Sequence, residues 1–219
     1  MALAAQLSQQ YNDFTASAPA AVKDPIISAK AEFNSSFDRA SVSVKPGGIL
    51  PTFTLPNATG DMLSSKDLLS ESPLLITFYR GEWCPFCNLA LIELQKHVDE
   101  YKARGVQFVA ISPELPNGSL NMTEKHKLKF PVLSDVGNRY ARQLGIVFKQ
   151  SESLRAPFST LGIDLNARNG DDSFEVPIPI TLLVDQKSRI RNVFVDPDFT
   201  KRLEPATALE WIDAMNKDS

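Results

Sequence analysis

The chain has 219 residues, of which 43% are hydrophobic and 22% are charged, and its formal net charge is -3 at pH 7. A chain of this length can bury a sizeable core, so its folding requires neither disulfide bonds nor a metal. The basic residues are scattered, and no apolar run approaches the roughly 18 residues of a membrane span, which disfavours nucleic acid and membrane as partners. We expect a cytoplasmic protein, because the first residues lack the basic and apolar regions of a signal peptide.

The first 44 residues predict two helices, since their apolar side chains recur at helical spacing. The side chains that share these two faces are Leu3, Leu7, Tyr11 and Phe14, followed by Val22, Ile26, Phe33 and Phe37. The stretch 17–20 and the pair Asp24-Pro25 supply turn and helix-start chemistry. We predict a helical hairpin at 1–44 that packs on a domain at 45–219, because 44–53 has the composition of a linker.

Strands and helices alternate along the rest of the chain. A hairpin is predicted around Asn57–Gly60, and the apolar run 73–79 predicts a strand that is buried on both faces. A single helix is expected to follow, with Gly105 at its end, and then a second buried strand at 106–112. The buried face of that helix is predicted to hold Leu91, Leu94, Val98 and Tyr101.

The C-terminal half continues the alternation. Helices are predicted within 119–129, 138–146 and 206–215, and strands within 179–185 and 190–196. Residues 149–176 show no period, so they form either a functional loop or a small insertion. The order of elements predicts an α/β fold with a central mixed sheet flanked by helices.

The chain contains only two cysteines, Cys84 and Cys87, in the stretch WCPFC between a predicted strand and the next helix. Unpaired backbone N–H groups and the positive end of the dipole at a helix start favour a thiolate. Positions i and i+3 share a helix face, so the two sulfurs can form a disulfide with little backbone movement. Pro85 suits the first helical turn. This pattern favours redox chemistry.

Two other interpretations of the cysteines compete with redox chemistry. A zinc site needs two further ligands, and the only histidines, His97 and His126, would have to converge from different elements. Alternatively, both thiols could be inert, buried side chains. We favour redox chemistry over both, and we predict no metal and no other cofactor.

Pro179 directly precedes the predicted strand at 180–184. A proline at this position can have a cis peptide bond and present its backbone to a neighbouring active site. An ordinary proline at a strand start explains the sequence equally well, and both interpretations stay open here.

The chain from about 45 to 215 resembles the alkyl hydroperoxide reductase/thiol-specific antioxidant family, which includes the peroxiredoxins. The stretches that carry the resemblance are PTFTLPNATG, ITFYRGEWCPFCNLAL, VAISPE, KFPVLSDVGNRYARQLGI, IPITLLVD and VDPDFTKRLEP. The resemblance implies a thioredoxin-like fold with the reactive cysteine at the start of the helix after strand 74–79.

The motif of the family, P-x-x-x-(T/S)-x-x-C, places its peroxidatic cysteine on Cys87. The chain departs from this motif, because Arg80 stands at the proline position and Cys84 at the Thr/Ser position. The family also uses an arginine just before a later strand, and the matching stretch VPIPIT has none. By contrast, WCPFC is similar to the thioredoxin motif, and Pro179 falls where thioredoxins keep a cis-proline.

These features support two mechanisms. As a thiol peroxidase, Cys87 attacks a hydroperoxide and Cys84 resolves the sulfenic acid to a disulfide, which thioredoxin or glutathione reduces; Arg80 is then the cation beside the thiolate. As a disulfide oxidoreductase, Cys84 attacks and Cys87 resolves, and Arg80 is a surface charge. We favour the peroxidase. A third hypothesis is a thioredoxin-fold binding protein or non-redox enzyme with idle thiols.

Two further residues of the motif are candidates for shaping the site. Trp83 could shield the thiols or dock a reductant, and it could equally be a packing residue. Glu82 could act as a base for a thiol, whereas a solvated carboxylate is the more ordinary role. The resemblance also suggests a homodimer.

Overall fold

The computed structural model describes residues 1–218, except for the side chains of 121 and 122. The helices are α1 (Leu3–Ser17), α2 (Ala20–Ser36), α3 (Ser65–Glu71), α4 (Pro85–Gln95), α5 (Val98–Ala103), α6 (Pro116–His126), α7 (Arg139–Gln143), α8 (Arg155–Thr160), α9 (Leu165–Asn169) and α10 (Pro205–Lys217). The strands are β1 (Thr54–Pro56), β2 (Met62–Ser64), β3 (Leu74–Phe78), β4 (Gln107–Ser112), β5 (Val132–Ser134), β6 (Val147–Lys149), β7 (Glu175–Pro177), β8 (Ile180–Val184) and β9 (Ile190–Val195). Short 3-10 turns lie at Arg39–Ser41, Val136–Asn138 and Glu152–Leu154.

The central sheet has the strand order β5-β4-β3-β8-β9. Strand β3 pairs in parallel with β4 and antiparallel with β8, and in this register Ile76 lies opposite both Val109 and Leu182. Strand β3 is buried along its whole length, as its continuous apolar sequence predicts. The predicted mixed sheet flanked by helices is confirmed, and β1 and β2 form the predicted hairpin.

Both faces of the sheet are covered. Leu75 of β3 points into a layer that contains buried side chains of α1, α4, α5 and α10. The neighbouring Leu74 and Ile76 point into the opposite layer, together with α3, α7 and residues 42–53. This alternation follows from the period of two along a strand. Because α4 follows β3 directly in the chain, the cysteines at its start lie at the carboxyl end of β3.

The single helix predicted to run through Tyr101 is in fact two helices, α4 and α5. Its interruption lies at His97, whose N–H donates to the carbonyl of Leu94 three residues earlier, in a tighter turn than an α-helix makes. Leu94, Val98 and Tyr101 are all buried on either side of this interruption. Neither glycine nor proline occurs at the break, so the sequence carries no local signal for it.

The two predicted N-terminal helices are present. Helix α1 buries Leu3 and Leu7 in the same layer as α4, whereas α2 packs on α8. Helix α2 begins at Ala20, so Pro25 lies inside it and does not start it. Val42 is buried in the same layer as Leu50 and Phe53. The domain division near residue 45 stays a prediction.

Residues 149–176 are folded, although their sequence shows no period. Strands β6 and β7 pair antiparallel, with Val147 opposite Pro177, so the segment between them leaves the domain and returns at one place. Helices α8 and α9 lie within it and enclose a small core of their own, to which Ile26 and Ala29 of α2 contribute. No helix in residues 1–218 is long and apolar enough to cross a membrane.

Candidate active site

The two cysteines occupy the first turn of α4. Cys84 is the residue that precedes the helix, Pro85 is its first residue and Cys87 its third. The backbone N–H of Cys87 donates to the carbonyl of Cys84 at 3.0 Å. Both thiols are free, with residue exposures of 0% for Cys84 and 1% for Cys87. The pair is therefore a reduced dithiol that is covered from solvent.

Two arginines flank the dithiol. The Nη2 of Arg80 donates to the Sγ of Cys84 at 3.0 Å, and the Nη2 of Arg202 lies 3.7 Å from the Sγ of Cys87. Arg80 lies in the loop that follows β3, whereas Arg202 lies in the loop between β9 and α10. Sequence reasoning did not single out Arg202, although it lies in the stretch VDPDFTKRLEP, which carries part of the family resemblance.

The surroundings separate the acidities of the two thiols. Burial opposes ionisation of Cys87, but hydrogen bonding from the Cys84 thiol and the charges of Arg202 and Arg80 together hold the pKa of Cys87 well below the usual thiol value of 9.0. Burial, together with the hydrogen bond to Cys87, raises the pKa of Cys84 well above that value. Of the two thiols, Cys87 is therefore the one whose surroundings favour ionisation.

Aromatic rings hold Arg80 in place. Its guanidinium carbon lies 4.4 Å from the ring centre of Phe199 and 5.1 Å from that of Trp83. The indole Nε1 of Trp83 donates to the carbonyl of Arg80 at 3.1 Å. Gly81 has a φ of +139°, and a Cβ there would lie 2.5 Å from the Trp83 Nε1. Only glycine therefore permits this close approach of the indole to the loop.

A network of ion pairs and hydrogen bonds holds Glu82, which lies in the loop between β3 and α4. Glu114 is fully buried, and its Oε2 accepts the backbone N–H of Glu82 at 2.7 Å. Arg168 of α9 places Nη1 3.1 Å from Glu82 and 3.3 Å from Glu114. Lys125 pairs with Glu82 at 2.7 Å, and the hydrogen bond from Lys125 lowers the pKa of Glu82. The chain from the start of β6 to the end of β7 is called here the 147–177 segment, and residues 80–84 before α4 are called the cysteine loop. Through Arg168, the network ties the 147–177 segment to the cysteine loop.

A cavity of about 650 Å³ adjoins the loop. Arg80, Glu82, Trp83 and Pro179 line it, as do side chains of α1, α2 and the 147–177 segment. Pro179 is buried, and its preceding peptide bond is trans, because the described residues include no cis peptide bond. The alternative with a cis-proline is therefore not what the structure contains.

The five predicted residues of the cysteine motif lie together, from Arg80 to Cys87. Arg80 is 7% exposed and so is not a solvated surface charge. The histidines lie elsewhere: His97 pairs with Glu100 at 2.7 Å, and the carbonyl of His126 accepts a hydrogen bond from Gln95. Within residues 1–218, no group of three or more His, Cys, Asp or Glu side chains is arranged to hold a metal ion.

The fold and the site together define a thioredoxin-fold protein with a dithiol at the start of the helix after its central strand. A model of the AhpC/TSA family matches residues 46–193. Because that match covers more than half of the chain, the protein belongs to the AhpC/TSA family.

Individual relatives are similar over a shorter region. Peroxiredoxin Bcp of Escherichia coli is 31% identical over 103 residues, which are 47% of this chain and 65% of that protein. A chloroplastic peroxiredoxin Q of Populus jackii is 28% identical over 103 residues, 47% of this chain and 48% of the relative. The crystal structure of peroxidoxin BcpB from Mycobacterium tuberculosis superposes with a TM-score of 0.62 at 20% identity, covering 78% of this chain and 98% of that one. The matched region is thus less than two thirds of each of the two sequence relatives.

Proposed function

We propose that the protein is a thiol peroxidase in which Cys87 is the residue that a hydroperoxide oxidises and Cys84 is the resolving thiol. The observation that carries this proposal is the position of Cys87 in the first turn of α4, with the Nη2 of Arg202 3.7 Å from its sulfur. The directions of the two pKa shifts agree with this assignment. Cys87 has the depressed pKa, while the pKa of Cys84 is raised. The thiolate is the nucleophilic form, so the attacking residue is the one whose thiolate is stabilised.

The first step transfers oxygen to sulfur. The Cys87 thiolate attacks the terminal oxygen of the hydroperoxide, an S–O bond forms and the O–O bond breaks. The alkoxide that leaves takes a proton from solvent, so the hydroperoxide is reduced to an alcohol and Cys87 is oxidised to a sulfenic acid. In this proposal the negative charge that develops on the leaving oxygen is stabilised by Arg202, which lies beside the Cys87 sulfur, and by Arg80, which donates to the Cys84 sulfur.

The second step forms the disulfide. The Cys84 sulfur attacks the Cys87 sulfur, the S–O bond breaks and water leaves with the sulfenic hydroxyl and the Cys84 proton. Cys84 and Cys87 are three residues apart at a helix start, a spacing that a disulfide accommodates. A dithiol such as reduced thioredoxin, or two molecules of glutathione, then supplies two electrons and two protons. We propose thioredoxin or glutathione as the reductant, and a homodimer as the oligomeric state.

The second candidate is a disulfide oxidoreductase that attacks through Cys84. One contact favours it, the 3.0 Å hydrogen bond from Arg80 to the Cys84 sulfur. Against it stands the raised pKa of Cys84, because the nucleophile in disulfide exchange is the ionised sulfur.

A stopped-flow experiment separates the two functions. Fully reduced protein is mixed with hydrogen peroxide while Trp83 fluorescence is followed, with Trp211→Phe as background so that one tryptophan reports. We expect fast second-order oxidation that persists in Cys84→Ser, where mass spectrometry finds a trapped sulfenic acid, and that disappears in Cys87→Ser. A rate no higher than that of a free thiol would refute the peroxidase and direct the work to insulin reduction, with Cys84→Ser as the critical variant.

A further inference from the structure

The cavity beside the cysteine loop is built in part by chain outside the family match. Its wall includes Tyr11 and Phe14 of α1, and Ile26 and Phe33 of α2. These residues precede position 46, where the match to the family begins. Neither cysteine is among the side chains that line the cavity. A ligand in this cavity would therefore lie next to the dithiol without being held by it.

Much of the wall is apolar and aromatic. Eight aromatic side chains line the cavity. The rings of Phe33 and Phe148 stack at 4.1 Å, and those of Trp83 and Phe158 lie 5.2 Å apart. A volume of about 650 Å³ is within the range of small-molecule sites, which bury most of the surface of a ligand with an apolar body.

Most charges in the wall are already compensated. Four of the cations that line the cavity each pair with a carboxylate, and these are Lys30, Lys125, Lys149 and Arg168. Of the two carboxylates in the wall, Glu82 belongs to these pairs and Glu32 is exposed, so that solvent screens its charge. None of these groups offers a strong site for a charged ligand.

Arg80 is the exception among the cations of the wall. It is 7% exposed, and no carboxylate of residues 1–218 forms an ion pair with it. Its Nη2 donates to the sulfur of Cys84, and Arg202 lies beside the sulfur of Cys87. Two guanidinium groups thus face two adjacent thiols, of which one can ionise without like-charge repulsion. One buried positive charge is left without a counterion, which is costly because burial removes its hydration.

Two buried donors in the same wall are unsatisfied. The Nε of Arg80 has no hydrogen-bond partner, and neither has the Nε2 of Gln150, which is 6% exposed. Buried donors without partners are rare, because each costs free energy. Carboxylate oxygens accept from guanidinium and amide N–H groups alike. A single negative charge would match the one uncompensated cation, whereas the two charges of a phosphate monoester would exceed it.

From these observations we infer that the cavity binds an amphipathic organic monocarboxylate. Its carboxylate pairs with Arg80, and its apolar body lies against α1, α2 and the 147–177 segment. The ligand needs no peroxide group and is not a substrate of the dithiol. This binding site goes beyond the proposed peroxidase function and does not depend on it.

The charge requirement is tested with two probes that share an apolar body, 6-phenylhexanoate and 6-phenylhexan-1-ol. Each is titrated into the fully reduced protein at neutral pH and followed by isothermal titration calorimetry, with no peroxide present. We expect the carboxylate to bind about tenfold more tightly than the alcohol, since a hydrogen bond to a charged group contributes about 1.5 kcal/mol or more. Equal affinities, or no binding of the carboxylate, overturn the inference.

The role of Arg80 is tested by substitution. Arg80→Met should remove the preference for the carboxylate, because the alcohol does not use the charge, and Arg80→Lys should keep part of it. Lys149→Met removes a wall cation that has a carboxylate partner, so it should leave the preference intact. A preference that persists in Arg80→Met contradicts the assignment of the carboxylate to this residue.

The location of the site is tested by filling the cavity. Ala29 lines it, so Ala29→Phe should abolish binding of both probes. Ala31→Phe adds the same ring at an exposed position of α2 and should leave binding unchanged. Ala29→Leu is a milder filling variant for use if Ala29→Phe does not fold. Binding that survives the filling of the cavity places the ligand elsewhere and overturns the inference. Because no thiol reacts in these titrations, their outcome is separate from that of the peroxidase experiment.

Discussion

The Nη2 of Arg202 lies 3.7 Å from the Sγ of Cys87, although 115 positions separate the two residues in the chain. The loop after β9 brings this cation to the Cys87 sulfur. Arg202→Met should therefore lower the second-order rate of Cys87 oxidation about 100-fold, the usual loss when one charge-stabilising donor is removed. Arg202→Lys should recover part of the rate. Lys201→Met, which removes the adjacent exposed cation, is the control, and an equal loss there would contradict the prediction.

The depressed pKa of Cys87 predicts an unusual pH profile. A thiolate that is stabilised in the folded protein persists as pH falls below the usual thiol pKa of 9.0, and reactivity is lost only as pH falls through the depressed pKa. The rate of iodoacetamide alkylation in Cys84→Ser should therefore be constant through pH 9 and well below it. Cys84→Ala removes the donor to the thiolate, so its profile should move to higher pH. An unmoved profile would show that the Cys84 hydrogen bond does not matter.

Access to the thiols should depend on Trp83. Both cysteines are at most 1% exposed, and the indole lies between the loop and Phe158. Trp83→Ala should accelerate alkylation of Cys87 several-fold, because the cover becomes smaller. Trp211→Ala, on α10 and away from the cysteine loop, should not. Mass spectrometry of quenched samples measures both rates, and equal acceleration would indicate general loosening of the fold.

We expect Arg168 to contribute more to the free energy of unfolding than Arg155, the other arginine of the 147–177 segment. Arg168→Met leaves the fully buried Glu114 beside Glu82 without their shared cation, and we expect the free energy of unfolding to fall by about 2 kcal/mol. Adding Glu114→Gln should restore part of that loss. Arg155→Met removes an exposed ion pair with Glu152 and should change little. Urea denaturation measures all three, and similar losses in both arginine variants would refute this account.

Local patterns in the sequence predicted much of the fold. Within the site they predicted the residues of the cysteine motif, but not Arg202 or Glu114. The apolar run of β3 and the cysteine spacing are local signals, and so is Arg80, which lies four residues before Cys84. Arg202 and Glu114 reach the loop only through the sheet and its connections. A single sequence gives no measure of such distances. The break at His97 was also not predicted, because neither glycine nor proline marks it in the sequence.

The helices of the 147–177 segment were not predicted from the sequence, for a different reason. Its helices are of five and six residues, too short to display a period, and its core forms only when Phe158 and Phe174 meet side chains of α2. Tertiary contacts rather than propensity stabilise such helices.

The first turn of α1 is capped by a carboxylate from the other end of the chain. Glu204 accepts the backbone N–H groups of Leu3 at 3.0 Å and Ala4 at 2.7 Å. Glu204 lies two residues after Arg202, and Leu203 between them is buried. Helix α1 and Cys87 thus contact the same three-residue segment, 202–204, and coupling of this kind is reciprocal. Oxidation of Cys87 should then alter amide hydrogen exchange in the first turn of α1, and Glu204→Gln should remove that response.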